Sequence, residues 1–254
     1  MILERFELTA KNALVTGSDK GLGSAIALAL AEAGANVAVH GRASDPNDIV
    51  GHIRKLGRKS YFFPVELSSA EACRDLFESV IREFGSLEIL INNAGCIRRC
   101  AATEFPPEYW DEVIELNLTT VFRLCQLAAK HMLARAQGGK IVNIASVLSF
   151  EGGVFVPSYA AAKGGVAQLT KALANEWAAK GINVNAIAPG YMETDNTAAL
   201  RGDPVRSRQI LDRIPSGRWG KPNDLAGAVV FLCSPSADYV HGHILVVDGG
   251  WLAR

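Results

Sequence analysis

Apolar residues fall into two alternating textures along the chain. Short runs rich in Val and Ile alternate with longer stretches in which apolar positions recur at helical spacing. The short runs predict strands at 12–15, 37–40, 60–64, 87–91, 140–144, 182–187 and 244–247. The longer stretches predict helices at 22–33, 46–56, 69–84, 107–135, 159–180 and 222–233. The local signals agree with these spans. Pro46 suits a first helical turn, Ser68 or Ser69 suits an N-cap, and Gly34 and Gly181 suit helix stops. Strands this apolar are buried on both faces, which calls for a parallel sheet covered by helices. Right-handed crossovers then place the helices on both sides. The pattern therefore predicts an α/β fold, one doubly wound sheet of about seven parallel strands.

One stretch breaks the rhythm. Residues 191–218 are polar and carry Pro204 and Pro215, the composition of an insertion that forms a lid over an active site. The chain otherwise shows no repeat and no linker, so residues 1–254 read as a single domain.

Composition narrows the function. Lys and Arg balance Asp and Glu at 26 each, which argues against a nucleic-acid surface or a polybasic membrane patch. The first ten residues lack the layout of a signal peptide, and the longest apolar stretch, 25–35, is too short to span a bilayer. Five cysteines, Cys73, Cys96, Cys100, Cys125 and Cys233, form no ladder and read as reduced thiols of a cytoplasmic protein. Neither Cys96 with Cys100 nor His241 with His243 has a third ligand nearby, so no metal site is expected and the two histidines read as surface residues.

The first strand runs into Thr16-Gly17-Ser18-Asp19-Lys20-Gly21-Leu22-Gly23. Glycines after a strand and before a helix let main-chain N–H groups approach a pyrophosphate at the helix N-terminus. The second strand ends His40-Gly41-Arg42, without the acid that usually holds an NAD ribose. Lys20 and Arg42 instead suit a 2′-phosphate, which leans the expectation to NADP(H) or dual use; solvated surface cations are the plainer reading. Ser146 ends the fifth strand, and Tyr159 and Lys163 follow at i and i+4 on one helix face. An ammonium there is expected to lower the tyrosine pKa toward working pH and so make a general acid/base.

Together these residues resemble the short-chain dehydrogenase/reductase family, a Rossmann-type fold, and the likeness runs over the whole chain. It is carried by 16–23, Asn92-Asn93-Ala94-Gly95, Asn117, Ser146, Tyr159, Lys163 and Pro189-Gly190. The resemblance implies an NAD(P)-dependent enzyme acting on a CH–OH group. Tyr159 would be the proton donor, Lys163 would hold the nicotinamide ribose, Ser146 would orient the substrate, and Asn117 would anchor a water chain to Lys163. It also places Gly17, Asp19, Lys20, Gly21, Leu22, Gly23, Arg42, Glu66, Leu67, Asn93, Ala94 and Gly95 around the adenosine and pyrophosphate. Pro189, Gly190, Met192 and Thr194 would meet the nicotinamide. Glu66 stands where the family commonly has Asp.

Further segments, among them Cys96-Ile97-Arg98-Arg99, Ser149-Phe150-Glu151-Gly152-Gly153 and Asp248-Gly249-Gly250-Trp251, resemble the sugar-acid branch of that family. This implies a keto sugar acid as substrate, lined by Ser146, Leu148, Tyr159 and Tyr191. Arg98, Arg99 or Arg218 could meet its carboxylate, or could serve salt bridges. A 3-oxoacyl-thioester reductase of the same family and a catalytically silent dinucleotide-binding protein stand as alternatives. The family implies a homotetramer, and an exposed Trp251-Leu252 would favour one.

Overall fold

A computed structural model describes residues 1–45 and 47–254. Seven strands, β1 (Asn12–Val15), β2 (Asn36–Gly41), β3 (Ser60–Pro64), β4 (Ile89–Asn92), β5 (Gly139–Ile144), β6 (Ile182–Pro189) and β7 (Ile244–Val247), form one sheet in the order β3-β2-β1-β4-β5-β6-β7. Every neighbouring pair is parallel. Successive residues of a strand point to opposite faces, so each strand feeds two cores. Leu14, Ala38 and Leu90 join one core, whereas Ala13, Val15, Val37, Val39, Ile89 and Ile91 join the other.

The helices that cover the sheet follow from the same periodicity. Helix α1 (Gly21–Glu32), α2 (Ile49–Lys55) and, late in the chain, α9 (Ala226–Cys233) close the second core through Ile26, Leu30, Ile53 and Leu232. Helices α3 (Ala70–Phe84), α5 (Thr120–Arg135) and α6 (Pro157–Trp177) close the first through Leu76, Leu124 and Val166. Ser69 caps α3 by accepting from the Ala72 N–H, and Gly85 ends it at φ +82°.

Two expectations need correction. The helix expected at 46–56 spans Ile49–Lys55, because Asp48 caps it with a side-chain acceptor for the Gly51 N–H; Pro46 lies outside the described residues. The helix expected at 107–135 is interrupted. Helix α4 (Pro107–Ile114) passes into a π-turn at Glu115–Thr119 before α5, and Asn117 sits in that turn. Such wide turns mark functional positions in helices. Residues 191–218, the insertion expected to form a lid, are largely helical. They hold a 3₁₀ turn (Asp195–Thr197) and two short helices, α7 (Ala198–Gly202) and α8 (Pro204–Leu211).

This helical segment has its own small core of Val147, Ile210, Ile214, Trp219 and Trp251. Trp251 is therefore buried within its own chain at 3% exposure, and its expected contribution to an oligomer interface falls away. Its indole N–H donates to Glu151 Oε1 (2.6 Å), and the Arg213 guanidinium lies 3.8 Å over its ring. Tyr191 packs between Trp251 and Trp219, at centroid distances of 4.6 and 5.7 Å.

No helix among the described residues is long and apolar enough to cross a membrane. All five cysteines are free thiols. His241 is half-buried beside Asn183 (3.3 Å) rather than on the surface. Trp251→Ala should cost about 3 kcal/mol, the usual cost of an aromatic core deletion. It should also speed proteolysis within 195–218; unchanged melting and proteolysis would show that the tail does not hold this segment.

Candidate active site

The sheet order reverses between β1 and β4, and the ends of these strands open a crevice at that switch point. Thr16, just after β1, bridges it. Its hydroxyl accepts from the Asn93 and Ala94 N–H groups, each at 3.0 Å. The Asn93 amide returns the tie by donating to Thr16 O and Gly17 O, each at 2.9 Å. Gly17 and Gly21 lie at φ +60° and +59°, in the left-handed region that glycine tolerates. A Cβ on Gly23 would come within 2.0 Å of Gly17 O, so the loop folds back onto the first turn of α1. Lys20, the N-cap residue of α1, makes no capping hydrogen bond with its side chain, which leaves the first N–H groups of this helix without a side-chain acceptor. A glycine-walled cradle at an uncapped helix N-terminus fits a pyrophosphate.

The cradle's surroundings sort the remaining candidates. Lys20 pairs with Asp195 (2.8 Å), which holds its ammonium above the usual lysine range, and Arg42 stands 3.9 Å from Glu66; all four are exposed. Leu67 is buried behind them. Asp19 sits against Gly41, where a Cβ would come within 2.9 Å of it. On the far side, Pro189 ends β6, and Gly190 lets the chain pass Asp248 at a distance no Cβ would allow. Met192 is buried against Gly220, and the Thr194 N–H donates to Thr197 Oγ (3.2 Å).

The reactive groups converge at the ends of β5 and α6. Ser146 follows β5, is 8% exposed, and accepts the Leu148 N–H at 3.1 Å. Tyr159 and Lys163 stand one turn apart on α6, with the ammonium 5.6 Å from the phenol ring centroid. Lys163 is 4% exposed and donates to Ile144 O at 2.5 Å, while its own carbonyl accepts from Ser149 Oγ (2.7 Å). Asn117 uses its whole amide on one residue: Oδ1 accepts the Cys96 N–H (2.9 Å) and Nδ2 donates to Cys96 O (2.8 Å). The π-turn thus pins the segment after β4 beside α6.

The ionisation of this pair departs from the expectation. Burial pushes the Tyr159 phenol up to about 12, and the nearby Ser146 hydroxyl and the Arg99 charge pull against it only in part. Burial also pushes Lys163 down to about 8. Loss of hydration is the largest influence on both groups, and it acts against the lowered tyrosine that the i, i+4 spacing suggested. Both shifts favour the neutral forms, the phenol over the phenolate and the amine over the ammonium.

The arginines separate. Arg98 forms a two-point ion pair with Glu112 (2.6 and 2.7 Å) and lies over Tyr109, and Arg218 does the same with Asp224 (2.6 and 3.0 Å). Arg99 instead donates to the Asn196 carbonyl (3.0 Å), and its charge acts on both Tyr159 and Tyr191. Leu148 lies beside Gly153, where a Cβ would meet its Cδ1 at 2.8 Å.

Sequence reasoning did not single out Glu151 and Arg213, which hold Trp251, or His40, which holds Gly17. The signal for His40 was a polar ring at the end of an otherwise apolar strand. Gly23→Ala should keep the fold and weaken dinucleotide binding at least about tenfold, because its methyl displaces the loop. A fluorescence titration with NADPH checks this, and unchanged affinity would refute the cradle.

A family model described as "Enoyl-(Acyl carrier protein) reductase" matches residues 17–252. The 2-dehydro-3-deoxy-D-gluconate 5-dehydrogenase of Escherichia coli (strain K12) is 52% identical over 254 residues, covering 100% of both chains. A solved structure from Agrobacterium tumefaciens, provisionally described as a 2-deoxy-D-gluconate 3-dehydrogenase with bound NADP, is 54% identical. It superposes with a TM-score of 0.92 over 98% of this chain and 99% of its own. A gluconate 5-dehydrogenase from Burkholderia cenocepacia, solved with NADP and tartrate, is 38% identical with a TM-score of 0.95 over 100% of both chains. With the cradle, the Ser146–Tyr159–Lys163 cluster and full-length relatives in agreement, the chain belongs to the short-chain dehydrogenase/reductase family of oxidoreductases.

Proposed function

We propose that this enzyme interconverts a keto sugar acid, of the deoxy-ketogluconate or ketouronate type, and its alcohol, with NADP(H) as redox partner. The observation that carries this reading is the placement of Arg99. Among the described residues it has no carboxylate partner, and its charge reaches both Tyr159 and Tyr191, which suits it as counter-ion to a substrate carboxylate. The names of the relatives at about half identity point to the same substrate class.

The residues divide the work. When bound, the nicotinamide supplies or accepts the hydride. The Ser146 hydroxyl orients the substrate oxygen beside Tyr159. In the reducing direction Tyr159 gives its phenolic proton to that oxygen, and the buried ammonium of Lys163 stabilises the phenolate left behind. The π-turn at Asn117 interrupts the regular main-chain pairing, and we assign to it the start of a water path that returns the proton to Lys163. Lys20 and Arg42 read the 2′-phosphate, exchanging Asp195 and Glu66 for it. Bound NADP in structural neighbours supports that preference.

We further assign a homotetramer, supported by the exposed Tyr109, Trp110 and Phe122 on α4 and α5, and a cytoplasmic location, supported by the free thiols.

Initial rates with NADPH and NADH should show turnover of a 2-dehydro-3-deoxy-ketogluconate or 5-ketogluconate and none of an acetoacetyl thioester. Turnover of the thioester alone would favour the acyl-reductase reading instead. Arg99→Ala should raise the sugar-acid KM roughly tenfold or more, and Arg98→Ala, spent on Glu112, should leave it nearly unchanged; the reverse order would overturn the Arg99 assignment.

Tyr159→Phe should lower kcat by about 10²- to 10⁴-fold. For reduction, kcat/KM should be flat at low pH and fall as pH rises through about 8, where Lys163 loses its proton while Tyr159 stays protonated. Lys163→Met should abolish that alkaline fall together with most of the activity, and a profile flat to pH 10 in the wild type would contradict the role given to Lys163.

A further inference from the structure

His40 takes no part in the hydride and proton steps, yet it lies at the carboxyl end of β2 with 3% exposure. Its ring reaches in two directions. Nδ1 accepts the Gly17 N–H at 2.9 Å, and Nε2 lies 3.0 Å from Val65 O. One tautomer satisfies both contacts, with the lone pair on Nδ1 and the proton on Nε2, donated to Val65. The main chain adds two ties. The His40 N–H donates to Ser18 Oγ (3.0 Å), and its carbonyl accepts the Ser18 N–H (2.7 Å).

One residue therefore joins three segments that are remote in sequence: the glycine loop, the end of β2, and the stretch that leads from β3 into Glu66 and Leu67. The Gly17 residue is gripped from both ends, its N–H by His40 and its carbonyl by Asn93. Val65 is gripped in the same way, its carbonyl by His40 and its N–H by the Gly41 carbonyl (3.0 Å). Arg42 follows His40 by two residues.

No charged side chain does this work. A carboxylate could accept from Gly17 but could not donate to Val65, and it would bury a charge. Lys and Arg cannot accept. Burial holds the His40 pKa at about 4, so the ring stays neutral and keeps the lone pair that Gly17 needs.

We propose that His40 is a positioning residue for the dinucleotide, a neutral imidazole strut that fixes the distance between the pyrophosphate loop and the adenosine wall. Its effect falls on cofactor affinity and not on the chemical step. This rests on the NADP(H) reading above.

Three substitutions dissect the strut. The Asn amide can occupy the Nδ1 position and keep the Gly17 bond, the Gln amide can occupy the Nε2 position and keep the Val65 bond, and Ala keeps neither. NADPH dissociation constants are read by fluorescence titration, alongside kcat at saturating NADPH, the keto-acid KM and the melting temperature. His40→Ala and His40→Gln should weaken NADPH binding about tenfold, with kcat and keto-acid KM within about twofold. His40→Asn, which keeps the Gly17 bond and breaks the strut, should restore the affinity only in part, to between that of His40→Ala and the wild type. Unchanged NADPH binding in folded His40→Ala and His40→Gln would overturn the proposal. So would a uniform decline of kcat, both KM values and melting temperature that His40→Asn does not rescue, since that marks a residue serving stability alone. A wild-type protein that binds no NADPH would instead overturn the cofactor reading itself.

Discussion

The ammonium of Lys163 is a charge carried into the protein interior with a main-chain carbonyl, Ile144 O, as its hydrogen-bond acceptor. Hydration lost on that scale is costly, and the site answers by shifting ionisation rather than by adding a buried carboxylate. Lys163 moves down to about 8 and Tyr159 up to about 12, so the two groups take up neutral forms more readily than they would in water. A proton donor and a proton reservoir thus sit one helical turn apart. A carboxylate beside Lys163 would remove that property by fixing the ammonium permanently.

The rest of the architecture serves to keep this pair aligned. The parallel sheet brings the ends of β1, β4, β5 and β6 to one crevice. Asn117 spends both halves of its amide on Cys96 and so holds the chain after β4 against α6. The segment after β6 packs on its own hydrophobic cluster, with Trp251 as the anchor between Glu151 and Arg213. Its first turn also touches the crevice on two sides, through Asp195 to Lys20 and through the Asn196 carbonyl to Arg99. The glycine loop, Arg99 and the 195–218 segment are therefore mechanically connected, although the Lys20 pair is exposed and weak on its own.

Much of this was legible in the sequence because it is written in local pattern. Seven apolar runs gave all seven strands with small shifts at their ends, and the glycine spacing, Ser146, Tyr159 and Lys163 gave the core of the site. What escaped notice depends on distance through space. The sequence spacing of Tyr159 and Lys163 shows their proximity but not their dehydration, so the direction of the tyrosine shift came out wrong. Adjacent Arg98 and Arg99 are indistinguishable in sequence, and only the fold shows that Glu112 takes the first and leaves the second near Tyr159. Trp251 looked exposed because its partners Glu151 and Arg213 are far from it along the chain. The π-turn at Asn117 is invisible to a helical periodicity that continues through it.

The most direct test is a tyrosinate absorbance titration of the protein without added cofactor, wild type minus Tyr159→Phe. If burial governs the site, the difference signal appears near pH 12, well above an ordinary tyrosine. A difference signal that appears below the ordinary value of about 10 would show that the Lys163 charge dominates, and would contradict the account.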